Sequence, residues 1–274
     1  MKNQKLERGN YFGTVVKRDQ LPGLVMTETV YQPRLRVPHH SHVNPYFCLV
    51  LKGGYTETYN KKMRECKAMT LAFHPSEEGH SEQFHDESVR SFNVEVQPSY
   101  TQRVRQHSSI LDRPAAFQGG SLCWLGTKLY REFVYKDSVS PLAIEGLVLE
   151  IMADGSRESN QPLGARPRLW LKQARDLLQA RFMDPLTVTE IATAVDVHPV
   201  HLSREFHKHY HSTIGQYVRQ LKVGLACRKI IEDDPPLAQV AIEAGFFDQS
   251  HFSRVFKSLT GVTPSQFRES RHRR

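Results

Sequence analysis

The spacing of apolar positions changes character along this chain. From about Tyr11 to Val96, short runs of aromatic and branched residues recur at Tyr46–Leu51, Tyr55–Tyr59, Thr70–Phe73 and Ser91–Val96. Turn-forming residues separate them at Gly53-Gly54, at Asn60-Lys61 and from Pro75 to Gly79. Many short strands at near-regular spacing predict a sandwich or barrel. From about Ser99 to Ala153 the period lengthens. Leu122, Leu125, Leu129 and Phe133 recur at three- and four-residue steps, the stripe of an amphipathic helix. A second helix is predicted from Pro141, with Leu142, Leu147, Leu149 and Met152 among its apolar positions. Asp154 to Ala165 is polar and turn-rich and reads as a linker. Beyond Arg166 the pattern is helical, broken at Asp184-Pro185, Pro199, Asp233 to Pro236 and Pro264.

Composition narrows the class. The 274 residues are 39% hydrophobic and 24% charged, enough to build cores and too apolar for global disorder. No apolar run approaches the ~18 residues of a membrane span, and residues 1–10 lack the apolar core of a secretion signal. A cytoplasmic protein with no membrane partner is expected. The four cysteines (Cys48, Cys66, Cys123, Cys227) form no CxxC pair, which argues against a disulfide scaffold or a cysteine zinc site. Charge is uneven: residues 161–274 carry 17 Lys and Arg against 11 Asp and Glu, while residues 1–160 carry 20 against 18. A basic module beside a nearly neutral one points to nucleic acid as the partner of the former.

The strongest signal is an internal repeat. Setting residues 201–217 against 251–267 gives identities at His201/His251, Ser203/Ser253, Arg204/Arg254, Phe206/Phe256, Thr213/Thr263 and Gln216/Gln266. Each copy has the grammar of a helix-turn-helix. Leu186 to Val195 predicts a supporting helix, with Asp196 in the turn and Leu202 and Phe206 as inward anchors of the next helix. In the second copy Leu237 to Ala244, Gly245, Phe252 and Phe256 take those parts. The opposite faces then present Pro199, Val200, Ser203, Arg204 and His207 in the first copy. In the second they present Asp248, Gln249, Ser250, Ser253, Arg254 and Lys257. Arg suits a guanine edge, Gln an adenine, Ser a base or a phosphate, and Val200 a thymine methyl. Arg219, Lys222, Arg228 and Lys229 are candidates for phosphate contacts.

The stretch Gly245-Phe-Phe-Asp-Gln-Ser-His-Phe-Ser-Arg-Val-Phe-Lys257, followed by Gly261, Pro264, Phe267 and Arg268, resembles the signature of the AraC/XylS family of bacterial transcription regulators. His198-Pro-Val-His-Leu-Ser-Arg-Glu-Phe206 fits the first copy of the same pattern. The resemblance covers about residues 167–270. It implies two helix-turn-helix subdomains joined by a long helix near Ile214–Ile231, reading successive major grooves of double-stranded DNA. Asp196 departs from the glycine often found at that turn.

The first half resembles, more weakly, the cupin-like sensory domain of many such regulators. His40-Ser-His42 followed by Gly53 or Gly54 matches part of one cupin motif, whose carboxylate would fall at Tyr46 or Phe47 and is absent. Pro75 and His80 match part of the other, with Glu77 where a glycine is usual. Three neutral imidazoles, His40, His42 and His80, are thus a candidate set for a divalent metal, with His39, His74 and His85 nearby as spares. The alternative is a histidine-lined pocket without any cofactor.

These readings combine into an α+β protein of two domains. A cupin-like, jelly-roll-type β-barrel at residues 11–98 would sense a small-molecule effector, and residues 99–153 would form a helical homodimerisation segment. A linker at 154–165 would lead to an all-α tandem helix-turn-helix domain at 166–270. The expected role is a non-enzymatic transcription regulator, with RNA polymerase a further partner if it activates. The rival is a metal-dependent cupin enzyme fused to a DNA-binding domain. Alkyl transfer by a reactive cysteine, which needs an activating polar or basic setting, is disfavoured: Cys48 lies in an apolar run, Cys123 in an amphipathic helix, and Cys66 has no partner cysteine.

Overall fold

The computed structural model describes residues 4–159, 169–210, 212–232 and 235–272. Two compact units divide the chain: residues 1–118 with 125–159, and residues 119–124 with 160–274.

The first unit is built on two sheets. Strands β1 (Gln4–Leu6), β4 (Arg36–His42), β9 (His80–Phe84), β6 (Gly54–Tyr59) and β7 (Lys62–Lys67) form one, in that spatial order. The other runs β11 (Ala115–Gln118), β8 (Thr70–His74), β5 (Tyr46–Lys52), β10 (Val89–Val96), β3 (Leu24–Tyr31) and β2 (Thr14–Leu21). All pairings are antiparallel except β1 with β4. Asn60 and Lys61 both take left-handed backbone (φ 46° and 62°), the twist-matching geometry of a tight hairpin between β6 and β7. Side chains from both sheets, including Tyr31, Val50, Tyr55, Cys66 and Phe84, share one apolar cluster.

Helices α1 (Pro98–Arg105), α2 (Gly120–Val134) and α3 (Ser140–Ser159) follow. Two expectations change here. The segment 99–153 is not wholly helical, because Ala115–Gln118 leaves it to pair with β8 and extend the larger sheet. The linker expected from Asp154 does not begin there: Asp154–Ser159 continue α3, and residues 160–165 lie outside the described residues. The stripe of α2 is buried as its spacing predicts, with Phe133 packed on Phe92 at 5.0 Å. In α3 the buried face is Ile144, Val148, Ile151 and Met152, whereas Leu142 is 75% exposed. The one-face period of Ile144, Val148 and Ile151 outweighs the leucine count.

The second unit contains α4 (Leu169–Arg181), α5 (Val188–Ala194), α6 (Pro199–Tyr210), α7 (Ile214–Glu232), α8 (Leu237–Glu243), α9 (Gln249–Thr260) and α10 (Pro264–His272). Its first half closes on Leu171, Leu178, Ile191, Leu202, Phe206 and Tyr217. The repeat is legible atom by atom. Phe206 meets Tyr217 edge-on at 5.4 Å and 77°, and Phe256 meets Phe267 at 5.4 Å and 71°. The Thr–Gln identities are reciprocal helix caps. At the start of α7 the Thr213 hydroxyl accepts from Gln216 N–H, and the Gln216 side chain accepts from Thr213 N–H. Thr263 and Gln266 repeat the exchange at α10. Each such pair satisfies two backbone donors that a helix start leaves open.

Candidate nucleic-acid interface and interior chamber

In the second unit, the two turns that precede α6 and α9 adopt the same backbone. Asp196 has φ 53° and Gly245 has φ 74°. Asp tolerates this left-handed geometry and Gly adopts it freely. Both turns orient the following helix so that one face is buried. Leu202 and Phe206 are fully buried in α6, as are Phe252 and Phe256 in α9.

The opposite faces carry the predicted contact residues. Val200, Ser203, Arg204 and His207 are exposed and Pro199 is half-buried. On α9, Gln249, Ser250, Arg254 and Lys257 are exposed, and Ser253 is half-buried. Asp248 is the N-cap of α9, its carboxylate accepting from His251 N–H at 2.6 Å, so it orients the helix. His198 holds the equivalent place before α6, where Nδ1 accepts from Val200 N–H at 3.3 Å. Two expected phosphate contacts are engaged elsewhere. Lys222 donates to the Gly245 carbonyl at 2.9 Å, and Lys229 pairs with Glu243. Arg219 is exposed, while the Arg228 side chain lies outside the described residues.

In the first unit, a polar chamber lies between the two sheets. His40, His42 and His80 are all buried, and one ring nitrogen from each lies within 4.8 Å of the others. His40 directs Nδ1 at the Pro38 carbonyl (2.9 Å) and His80 directs Nδ1 at the Glu78 carbonyl (3.2 Å). Carbonyl partners of this kind fix the tautomer and leave Nε2 with a lone pair, the usual outer support of a metal ligand. Among the described residues His42 Nδ1 has no hydrogen-bond partner. Burial lowers the pKa of all three, that of His80 to about 3 with His74 adding to the effect, so the imidazoles stay neutral. The donor set therefore fits a divalent ion.

The structure also brings in residues that motif spacing missed. Tyr46 occupies the place of the absent carboxylate, stacks on His74 at 4.3 Å, and its hydroxyl lies 3.3 Å from His80 Nε2. A carboxylate arrives from another strand: Glu57 of β6 is buried, bonded to His74 Nδ1 at 3.1 Å and to the Arg64 guanidinium. Glu57, His74 and His80 form a second close group. Burial opposes the charge on Glu57, but His74 and Arg64 outweigh it and hold the carboxyl far below its usual range. Period-two alternation from the buried Tyr55 was the available signal for Glu57. Glu82 also faces the chamber, and burial, with Glu57 opposite, raises its pKa to about 8. Of the spare histidines only His74 joins the cluster. His39 is exposed and His85 bonds Thr56. Glu77, standing where a glycine is usual, adopts φ 64°, so the backbone shape is kept without the glycine. The free space within the chamber is about 10 Å³, room for roughly one water.

Comparison with known proteins bears on the helical unit. A helix-turn-helix domain family matches residues 191–270. The chain is 32% identical over 132 residues to the HTH-type transcriptional regulator ArgR of Pseudomonas aeruginosa, covering 46% of this chain and 40% of that protein. Regulatory protein SoxS of Salmonella typhimurium is 32% identical over 84 residues, 31% of this chain and 78% of its own. The HTH-type transcriptional activator RhaR of Cronobacter sakazakii aligns over 96% of this chain and 95% of its own at 24% identity. The chain spans less than half the length of the first curated relatives it matches. Among the described residues, no helix is long and apolar enough to cross a membrane.

Proposed function

Because the chain belongs to the AraC/XylS family of transcription regulators, we propose that it binds promoter DNA through a tandem helix-turn-helix domain. The carrying observation is the repeated construction of α6 and α9. Each follows a left-handed turn, buries two anchors four residues apart, and exposes an arginine, Arg204 or Arg254, at the same register. The contact set is Pro199, Val200, Ser203, Arg204 and His207 with Gln249, Ser250, Ser253, Arg254 and Lys257, while Asp248 caps α9. Each well-placed base contact contributes roughly 1–3 kcal/mol of discrimination.

In this reading the two-sheet unit is a cupin-like, jelly-roll-type sensory domain. Its interior chamber takes a small-molecule effector, and the protein acts in the cytoplasm without catalysing a reaction. The cupin-enzyme alternative has less support, because the named relatives are regulators. Homodimerisation through the helices of 99–153 is supported by Val139 and Leu142, apolar side chains 62% and 75% exposed around the start of α3. RNA polymerase joins the partners where the bound protein activates.

A second reading of the chamber is favoured by the pre-oriented imidazoles. His40, His42 and His80 would hold a divalent ion, which when bound supplies a Lewis-acidic anchor for an oxygen-bearing ligand. The chain's own part is to keep the three rings neutral and to fix their tautomers through Pro38 and Glu78.

The test is selection of bound sequences from a random duplex library with full-length protein at near-physiological salt, where non-specific phosphate binding is suppressed. Recovery of two sequence blocks about one helical turn apart is expected. Binding with no preferred sequence would overturn the reading.

A further inference from the structure

The interior chamber is rich in acceptors. Glu82 of β9 stands directly opposite Glu57 of β6 in the strand register and lines the chamber. Among the described residues Glu82 makes no hydrogen bond and no ion pair. The guanidinium of Arg64 acts on it through its charge but spends its N–H groups elsewhere. Arg64 Nε bonds Glu57, Nη1 donates to the Ala115 carbonyl at 2.9 Å, and Nη2 lies 3.5 Å from His74.

Other groups on the walls also offer lone pairs. Asn93 donates its amide N–H to Thr29 Oγ1 at 3.2 Å, so its carbonyl oxygen remains for the chamber that it lines. Much of the rest is aromatic, with Tyr11, Tyr31, Tyr46 and Tyr55 on the lining. Aromatic faces attract cations through their quadrupole. Two acidic side chains, the buried Glu57 and the half-buried Glu82, face each other in the strand register. Because like charges side by side are unfavourable, the wall is complementary to a positive, donor-rich group. Size narrows the choice. About 10 Å³ of free space suits a head of roughly water size. An –NH3⁺ group meets that limit and a trimethylammonium does not.

We infer that the chamber receives the primary ammonium group of a small amine, with Glu82 as its counter-ion. This rests on the effector-sensing reading above and names the ligand class for that site. Glu82 and Asn93 accept N–H bonds from the ammonium, and tyrosine faces enclose it.

The test uses full-length protein at a pH just above 8, where Glu82 is ionised, with isothermal calorimetry and thermal melting and n-propylammonium chloride as probe. Controls are n-propanol, tetramethylammonium chloride and zinc chloride. Propylammonium should bind and raise the melting temperature, while propanol and tetramethylammonium do neither. Glu82→Gln, of nearly the same shape, should weaken propylammonium at least tenfold and leave DNA binding in place. Should that variant fail to fold, Asn93→Ser should weaken the probe severalfold. Equal effects of propanol or tetramethylammonium would overturn the assignment, as would wild-type affinity in Glu82→Gln. Zinc bound equally by wild type and Glu82→Gln, with no propylammonium bound by either, would overturn it in favour of the imidazole metal site. If the duplex selection yields a motif but propylammonium fails, only this inference falls. If propylammonium binds through Glu82 and no motif emerges, the DNA-reading role falls instead.

Discussion

Gly245→Ala isolates the backbone conformation on which the setting of α9 depends. At φ 74° the residue sits where an L side chain is strained, at about 1–2 kcal/mol. A Cβ there would lie 3.2 Å from Lys222 Nζ, 3.2 Å from Met183 Cε and 3.3 Å from Lys222 Cε. These are ends of flexible side chains, so they retreat at little cost. Lys222 then loses its favourable position on the Gly245 carbonyl, a 2.9 Å bond in the native turn. Alanine returns about 0.4–1 kcal/mol by restricting the unfolded chain. The net expectation is a loss of about 1 kcal/mol. With a urea slope of about 1–3 kcal/mol per molar, the midpoint of the helical transition, followed by circular dichroism, should fall by roughly 0.3–1 M. The equivalent turn supplies the opposite experiment. Asp196→Gly removes a strained side chain at φ 53° and should raise the midpoint, by roughly half as much once glycine's entropy is counted. Midpoints that stay put, or that move together in the two variants, would refute the argument.

Four more outcomes follow from the same geometry. Arg204→Ala and Arg254→Ala should each relax preference at particular base pairs by about 1–3 kcal/mol, measured by competition with mutated operators; uniform weakening across all sequences would mean phosphate contact alone. His198→Asp should stabilise the second unit by about 0.5–1 kcal/mol, because a carboxylate is the stronger cap and Asp248 already serves α9 in that place; an unchanged denaturation midpoint would count against it. The first unit should also lose stability on acidification. His80, ordinarily near 6.5 and held at about 3 by burial and His74, stays neutral in the fold while the unfolded chain takes the proton first. Its contribution is therefore present above about pH 6.5 and lost towards pH 3, and burial moves His40, His42 and His74 in the same direction. Glu82 acts with the opposite sign. Its raised pKa, about 8, stabilises fully below 4.5 and is lost as pH rises through 8, so Glu82→Gln should flatten the alkaline side of the melting profile. In Glu82→Gln, where the opposing carboxyl is gone, a melting temperature that rises from pH 7 to pH 5 would contradict the histidine part.

The helical half was the more legible because its signals are local. Four-residue anchor spacing and a repeat at constant offset carry their own registration, and even the Thr–Gln identities had a local cause in capping. The turn at Asp196 was readable for the same reason. The chamber was harder. His40, His42 and His80 are flagged by motif spacing, with His74 as a spare, and Glu82 lies two residues from His80 on β9; Glu57 meets them only because β6 pairs with β9 from a different part of the chain. The one local hint for Glu57 is its period-two offset from Tyr55; that this face is the inward one follows from the pairing of β9 with β6. Strand Ala115–Gln118 was lost for a similar reason, since four residues carry too little pattern to be told from the helices around them.

Helix α7, Ile214–Glu232, has a further consequence for the genome such a protein would serve. At 1.5 Å per residue its 19 residues measure about 28 Å, and helical backbone does not stretch. If α6 and α9 read DNA as proposed, the two reading heads would share a stiff yardstick, and the gap between the two words would be fixed by covalent geometry. Point changes within a word would be tolerated one at a time. One inserted base pair would swing the second word about 35° around the duplex, beyond what the yardstick allows. Promoters under such a regulator would drift in spelling while conserving spacing.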